Sequence, residues 1–103
     1  MAGRRGGAQK TLKGLRPLSS HEWPSWWEWD LGLSGHLLKR MVDRDFTEVD
    51  LRRMLERATR LRADVVDGRW VVETSHARRS WEVIVEPDQE SRLMIVVTAY
   101  PVS

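Results

Sequence analysis

The stretch Ser34-Gly-His-Leu-Leu-Lys-Arg-Met-Val-Asp-Arg-Asp-Phe-Thr-Glu-Val-Asp50 decides the fold, because it starts two helices with only a tight corner between them. Ser34 is a good N-cap, and Leu37, Leu38, Met41 and Val42 follow at helical spacing, which predicts a first helix with one apolar side. The second start is sharper. Thr47 and Asp50 stand in the T-x-x-acid relation of a capping box, and Phe46 and Leu51 are placed for a hydrophobic staple. A second helix is predicted over 47–61, with Leu51, Met54, Leu55, Ala58 and Leu61 as its buried stripe. Its outer side interleaves Arg52, Arg53, Arg57 and Arg60 with Glu48, Asp50 and Glu56, which reads as a solvated face before it reads as a phosphate track.

Toward the N-terminus, Trp27, Trp29, Leu31 and Leu33 alternate with Glu28, Asp30 and Gly32, the period of a strand buried on one face. Trp23 and Trp26 flank it, and Pro24 marks entry. Tryptophans stack on bases in many proteins, but the acidic alternation here makes core packing the better reading. Toward the C-terminus, 62–68 is a connector with Asp67-Gly68 as its turn signal, and strand-like runs follow at 69–76, 80–86 and 92–100. The breaks between the runs are short enough for hairpins. Trp70 and Val72, then Trp81, Val83 and Val85, then Leu93, Ile95, Val97 and Ala99 are expected to share one face. Both sides of the last run are apolar, which suits a central strand. The predicted class is α+β, in the order β-α-α-β-β-β, with two helices packed on one face of an antiparallel four-stranded sheet.

Residues 1–22 hold most of the glycines and no aromatic residue, and are expected to be a disordered basic arm preceding a domain over 23–103. The arm carries Arg4, Arg5, Lys10, Lys13 and Arg16 against Glu22, a net of +4, so the whole-chain charge of +2 leaves −2 for the rest. The basic balance therefore belongs to the arm, and net charge alone gives the domain no nucleic-acid signature. There is no cysteine, which excludes a disulfide framework, a thiol nucleophile and Cys-ligated metals. A reducing compartment is the natural reading. No apolar run reaches membrane-span length and no signal-peptide core is present, so a soluble cytoplasmic protein without membrane attachment is expected.

His36, Arg40 and Arg44 fall four residues apart and share one side of the first helix. A helix start offers free N–H groups and partial positive charge, which attract anions and disfavour imidazolium. That chemistry suits a neutral histidine base with an arginine beside a phosphate; the plainer reading is a solvated face paired with Asp43 and Asp45. His21, His36 and His76 show no metal-ligand spacing, and no glycine-rich phosphate loop or Gly-Lys-Ser/Thr occurs, so no metal and no cofactor is expected. Metal-free RNA cleavage needs only a base for the ribose 2′-hydroxyl, cations for the phosphate and a donor for the leaving oxygen. His36 or His76 can be the base. Arg40, Arg44, Arg78 or Arg79 can hold the phosphate, with hydroxyls from Thr98 and Tyr100.

Five stretches taken together carry a family resemblance: His36 to Arg44, Phe46 to Asp50, Gly68-Arg-Trp-Val-Val72, Trp81 to Asp88, and Ile95-Val-Val-Thr-Ala-Tyr100. They resemble a bacterial family of small domains of unknown function, marked by a histidine opening the first helix, an arginine-rich helix end and a last strand ending in Thr-x-Tyr. That family looks like a branch of the barnase, EndoU, colicin and RelE group of metal-independent RNase folds, which includes RelE- and BrnT-type toxins. The resemblance covers about residues 26–102. It implies a strand–helix–helix–meander fold, endoribonuclease activity on RNA and a neutralising antitoxin partner. His36, Arg40, Arg44, Thr98 and Tyr100 carry over by motif as catalytic positions; His76, Arg78 and Arg79, read from their own chemistry, are the expected substrate-binding ones. The acidic balance of the folded part departs from the RelE pattern and argues against ribosome-dependent cleavage. The rival expectation is a non-catalytic protein-interaction domain of RelE-like fold.

Overall fold

The computed structural model describes residues 23–102; the basic arm of 1–22 lies outside them. A 3-10 turn at Ser25–Glu28 leads into β1 (Asp30–Leu33), α1 (Gly35–Asp43), α2 (Glu48–Glu56), β2 (Arg60–Ala63), β3 (Trp70–His76), β4 (Arg79–Asp88) and β5 (Leu93–Pro101). The class is α+β, with both helices packed over one face of one sheet.

Both helix starts form as the sequence requires. The Ser34 side chain accepts from the Leu37 N–H, and Thr47 and Asp50 close a reciprocal capping box. Phe46 and Leu51, on either side of that cap, are both buried. Between the helices the chain turns at Asp45, whose positive φ an aspartate tolerates. The second helix is shorter than predicted and ends at Glu56, because Thr59 N–H is already committed to the Glu73 carbonyl of β3. Leu61 lies in a strand and still packs on the core, since helix spacing from Ala58 and strand alternation both turn it inward.

The sheet has five strands in the order β1-β5-β4-β3-β2, not the four of the predicted sheet, and it is mixed. Strands β3 to β5 form the expected antiparallel meander, and the additional strand, β2, extends it by pairing antiparallel to β3. Strand β1 pairs parallel to β5, from Asp30 opposite Leu93 to Leu33 opposite Val96. Two helices lie between β1 and the meander, so the first strand reaches the far edge by a crossover, the connection that parallel pairing needs. Trp27 is in the 3-10 turn and not in the strand predicted around it.

A register shift between Ile84 and Val85 makes Val97 the extra residue of β5: Ile84 faces Thr98, and Val85 faces Val96. Met94, Val96 and Ala99 are therefore the buried residues of that strand, correcting the set Leu93, Ile95, Val97 and Ala99. Alternation could not fix the face, because both sides of β5 are apolar. The core joins Leu37 of α1 and Leu51, Met54 and Leu55 of α2 to Val72, Trp81, Val83, Val85 and Val96, with Trp26 and Trp27 at one end. Thr74 is the buried polar residue of the sheet, and its hydroxyl donates to the Met54 carbonyl at 2.5 Å. Beyond Leu33, α1 takes over the outer side of β5: Ser34 N–H donates to Val96 O at 3.2 Å, Ser34 Oγ to Val97 O at 2.8 Å, and Arg44 to Ala99 O at 2.8 Å.

Among the described residues, no helix is long and apolar enough to cross a membrane.

Candidate functional site

His36 opens α1 and is exposed, and its Nε2 accepts from Arg40 Nε at 3.5 Å. Arg40 is also held by Asp43 at 2.8 Å, an exposed i,i+3 pair. The plainer reading of this helix face thus holds for Arg40. Arg44 spends one guanidinium nitrogen on the Ala99 carbonyl.

Thr98 and Tyr100 do not face α1. They stand opposite Ile84 and Glu82, in alternation with the core residues Val83 and Ala99, and so lie on the sheet face away from the helices. The Tyr100 hydroxyl donates to Glu82 at 2.8 Å, and Arg62 bridges Glu82 at 2.8 Å and Glu73 at 2.9 Å. Arg69 pairs with Glu86 beside them at 2.9 Å. Arg62 and Arg69 of this open face are neutralised by their neighbours, and Thr98 and Tyr100 are turned to the side of the sheet away from His36.

Burial, together with the hydrogen bond and negative charge of Glu82, pushes the Tyr100 phenol up to about 12. A raised phenol pKa means that the unfolded chain ionises first as alkali is added. Tyr100 therefore contributes stability that is intact below about pH 10 and is lost as pH rises through about 12. Tyr100 is the chain's one tyrosine, so phenolate absorbance reads it directly. We expect a midpoint near 12, lowered in Glu82→Gln but still above 10 because burial is the larger cause; a wild-type midpoint near 10 contradicts the contact.

The other group of sequence candidates does come together, at the β3–β4 hairpin. His76 ends β3 and pairs across from Arg79, with Ala77 and Arg78 as the two-residue turn. The His76 ring is half-buried and stands edge-on to Trp81 at 5.5 Å, and Phe46 meets the same indole edge-on at 5.3 Å. Helix α2 adds Arg57 and Asp50, from the outer side that the sequence reads as a solvated face before a phosphate track. Arg57 donates to Ser75 O at 3.1 Å, next to His76. Asp50 is held below the usual carboxylate range, first by the Thr47 N–H and also by the nearby charges of His76 and Arg53. The helical face that looked merely solvated is thereby split: Arg52 turns to Glu48 at 2.9 Å, while Arg57 is tied to the hairpin and Arg53 lies near Asp50. The signal was present only as spacing, since Arg53 and Arg57 are four apart; which strand they would meet was not.

This end of the molecule places the half-buried His76 imidazole near Asp50, with Arg57 tied to its strand, Arg53 near the same carboxylate and Arg78 exposed at the hairpin tip. Among the described residues, Arg44, Arg53, Arg57 and Arg78 take part in none of the carboxylate ion pairs that hold Arg40, Arg52, Arg62 and Arg69. Such a surface suits an extended polyanion. Elsewhere, a depression of about 180 Å³ beside Trp27, Trp29, Leu31, Leu55 and Met94 is smaller than typical small-molecule sites of roughly 300–1,000 Å³. Among the described residues no three of His, Asp and Glu gather as a metal-ligand set.

No protein-family model, curated protein or solved structure matches the chain.

Proposed function

We propose that the chain is a small RNA-binding domain of toxin-like type whose β3–β4 hairpin end holds the phosphate backbone. One observation carries the reading: Arg57 is tied to the hairpin that carries His76 and Arg78, Arg53 shares the neighbourhood of Asp50 with His76, and none of these three arginines takes part in a carboxylate ion pair among the described residues, whereas Arg62 and Arg69 of the open face do. RNA is a large ligand and needs a charged surface, not a deep pocket. The proposal is of binding before cleavage. A general base must reach its proton and act with a donor on the opposite side of the reacting phosphate. His36 has Arg40 beside it, and Thr98 and Tyr100 face away from its helix.

The test is a salt titration of a labelled single-stranded RNA with the full chain, comparing wild type with Arg53→Gln/Arg78→Gln and with Lys39→Gln on α1. Each lost phosphate contact lowers the slope of log K against log salt by about 0.7 on single strands. We expect the double variant to lose roughly 1.4 in slope and Lys39→Gln to match wild type. Equal slopes for all three proteins contradict the assignment.

A further inference from the structure

Two residues at the tip of the hairpin adopt a backbone that their side chains resist. His76 pairs with Arg79, leaving a two-residue loop, and both loop residues have positive φ: 52° at Ala77 and 65° at Arg78. That is the signature of a type I′ turn, whose twist matches the flanking strands and whose preferred residues are Asn-Gly or Asp-Gly. An L-residue with a Cβ is strained in the left-handed region, and alanine has no side-chain oxygen to offset it.

The other two non-glycine residues with positive φ have local reasons. Asp45 belongs to a residue type that tolerates this region, and Arg92 lies over the Trp29 ring at 5.7 Å. Arg78 has neither. Its side chain makes no hydrogen bond or ion pair among the described residues, so nothing inside the domain repays the strain of placing an arginine where glycine fits best. The position is also fixed from below. The hairpin is in continuous register from Trp70 opposite Val85 to His76 opposite Arg79, and Arg57 ties Ser75 to α2.

We infer that Arg78 is a positioning device for RNA: an arginine whose backbone is fixed outward at the end of a paired hairpin, present at the expense of stability because it makes the leading phosphate contact. This rests on the RNA-binding reading and names the residue that dominates it. A short turn loses little freedom on docking, so its arginine binds with a smaller entropic cost than the same arginine on a mobile loop.

Two single variants separate strain from charge. Ala77→Asn relaxes the turn and keeps the cation; Arg78→Gly relaxes the turn and removes it. For a domain of this size, relief of one strained residue is expected to raise Tm by about 4–8 °C in either variant. RNA affinity should be kept in Ala77→Asn. In Arg78→Gly it should fall, with the salt slope on single-stranded RNA smaller by about 0.7. If wild type binds RNA but Arg78→Gly binds as wild type does, or if neither variant gains thermal stability, the inference is overturned and the RNA-binding reading survives. If the wild-type chain shows no salt-dependent RNA binding, both are overturned.

Discussion

Trp81→Ala is expected to remove about 3–5 kcal/mol of folding free energy, the range for deleting a buried aromatic side chain. Trp81 is 4% exposed and lies mid-sheet, paired with Thr74 of β3 on one side and Pro101 of β5 on the other. Its indole receives Phe46 from the interhelix corner and His76 from the hairpin, each edge-on. The buried Nε1 makes no hydrogen bond among the described residues, so packing holds this ring. A domain spanning residues 23–102 has roughly 4–12 kcal/mol of stability in all. The loss is therefore at least about a quarter of that total. Urea denaturation followed by circular dichroism checks this, and Trp81→Phe should lose less because an aromatic edge remains for Phe46. A Trp81→Ala midpoint indistinguishable from wild type contradicts the burial.

Leu37→Ala comes next, at about 2–5 kcal/mol. Leu37 is the one buried residue of α1 and is 0% exposed; Met41 is only partly covered, and Leu38 and Val42 point outward at 50% and 82%. Apart from the partly covered Met41, the remaining attachment of α1 is polar, through Ser34 to Val96 and Val97 and through Arg44 to Ala99. Truncating Leu37 thus frees the helix before it loosens the meander. Amide hydrogen exchange should show α1 losing protection first, with β3 and β4 still protected. Once α1 is released, the outer carbonyls of β5 are bared, so the variant should also associate more readily at high concentration. Uniform loss of protection over all elements contradicts this order.

The parts of the fold that were legible in the sequence are those set by local chemistry. Ser34 and Thr47 cap helices because their hydroxyls meet N–H groups three residues on, and that needs no tertiary partner. The meander was legible because apolar alternation and short breaks fall together. What escaped reading depends on distant pairing. Strand β2 was hidden because Leu61 satisfies helical and strand periods alike, and the parallel placement of β1 rests on a partner some sixty residues away. The bulge at Val97 was invisible because apolar side chains on both faces of β5 erase parity.

The candidate site divides in the same way. His76, Arg78 and Arg79 are neighbours in sequence and remain neighbours in space. His36 was joined to Thr98 and Tyr100 across the fold, a pairing that depended on which face of β5 those hydroxyls occupy. The register turns them toward Glu82 and Ile84. Arg53 and Arg57 read as a solvated face because β3, the strand to which Arg57 is tied, begins well after α2 ends.

The central claim is that the hairpin end, and not the start of α1 or the open sheet face, receives the phosphate backbone. Backbone amide NMR shifts of the full chain, recorded during titration with single-stranded RNA, test it most directly. The account predicts the largest changes at His76 to Ser80 and around Arg53 and Arg57, with little change at His36, Thr98 and Tyr100. Changes concentrated at His36, Thr98 and Tyr100, with the hairpin unmoved, would contradict it.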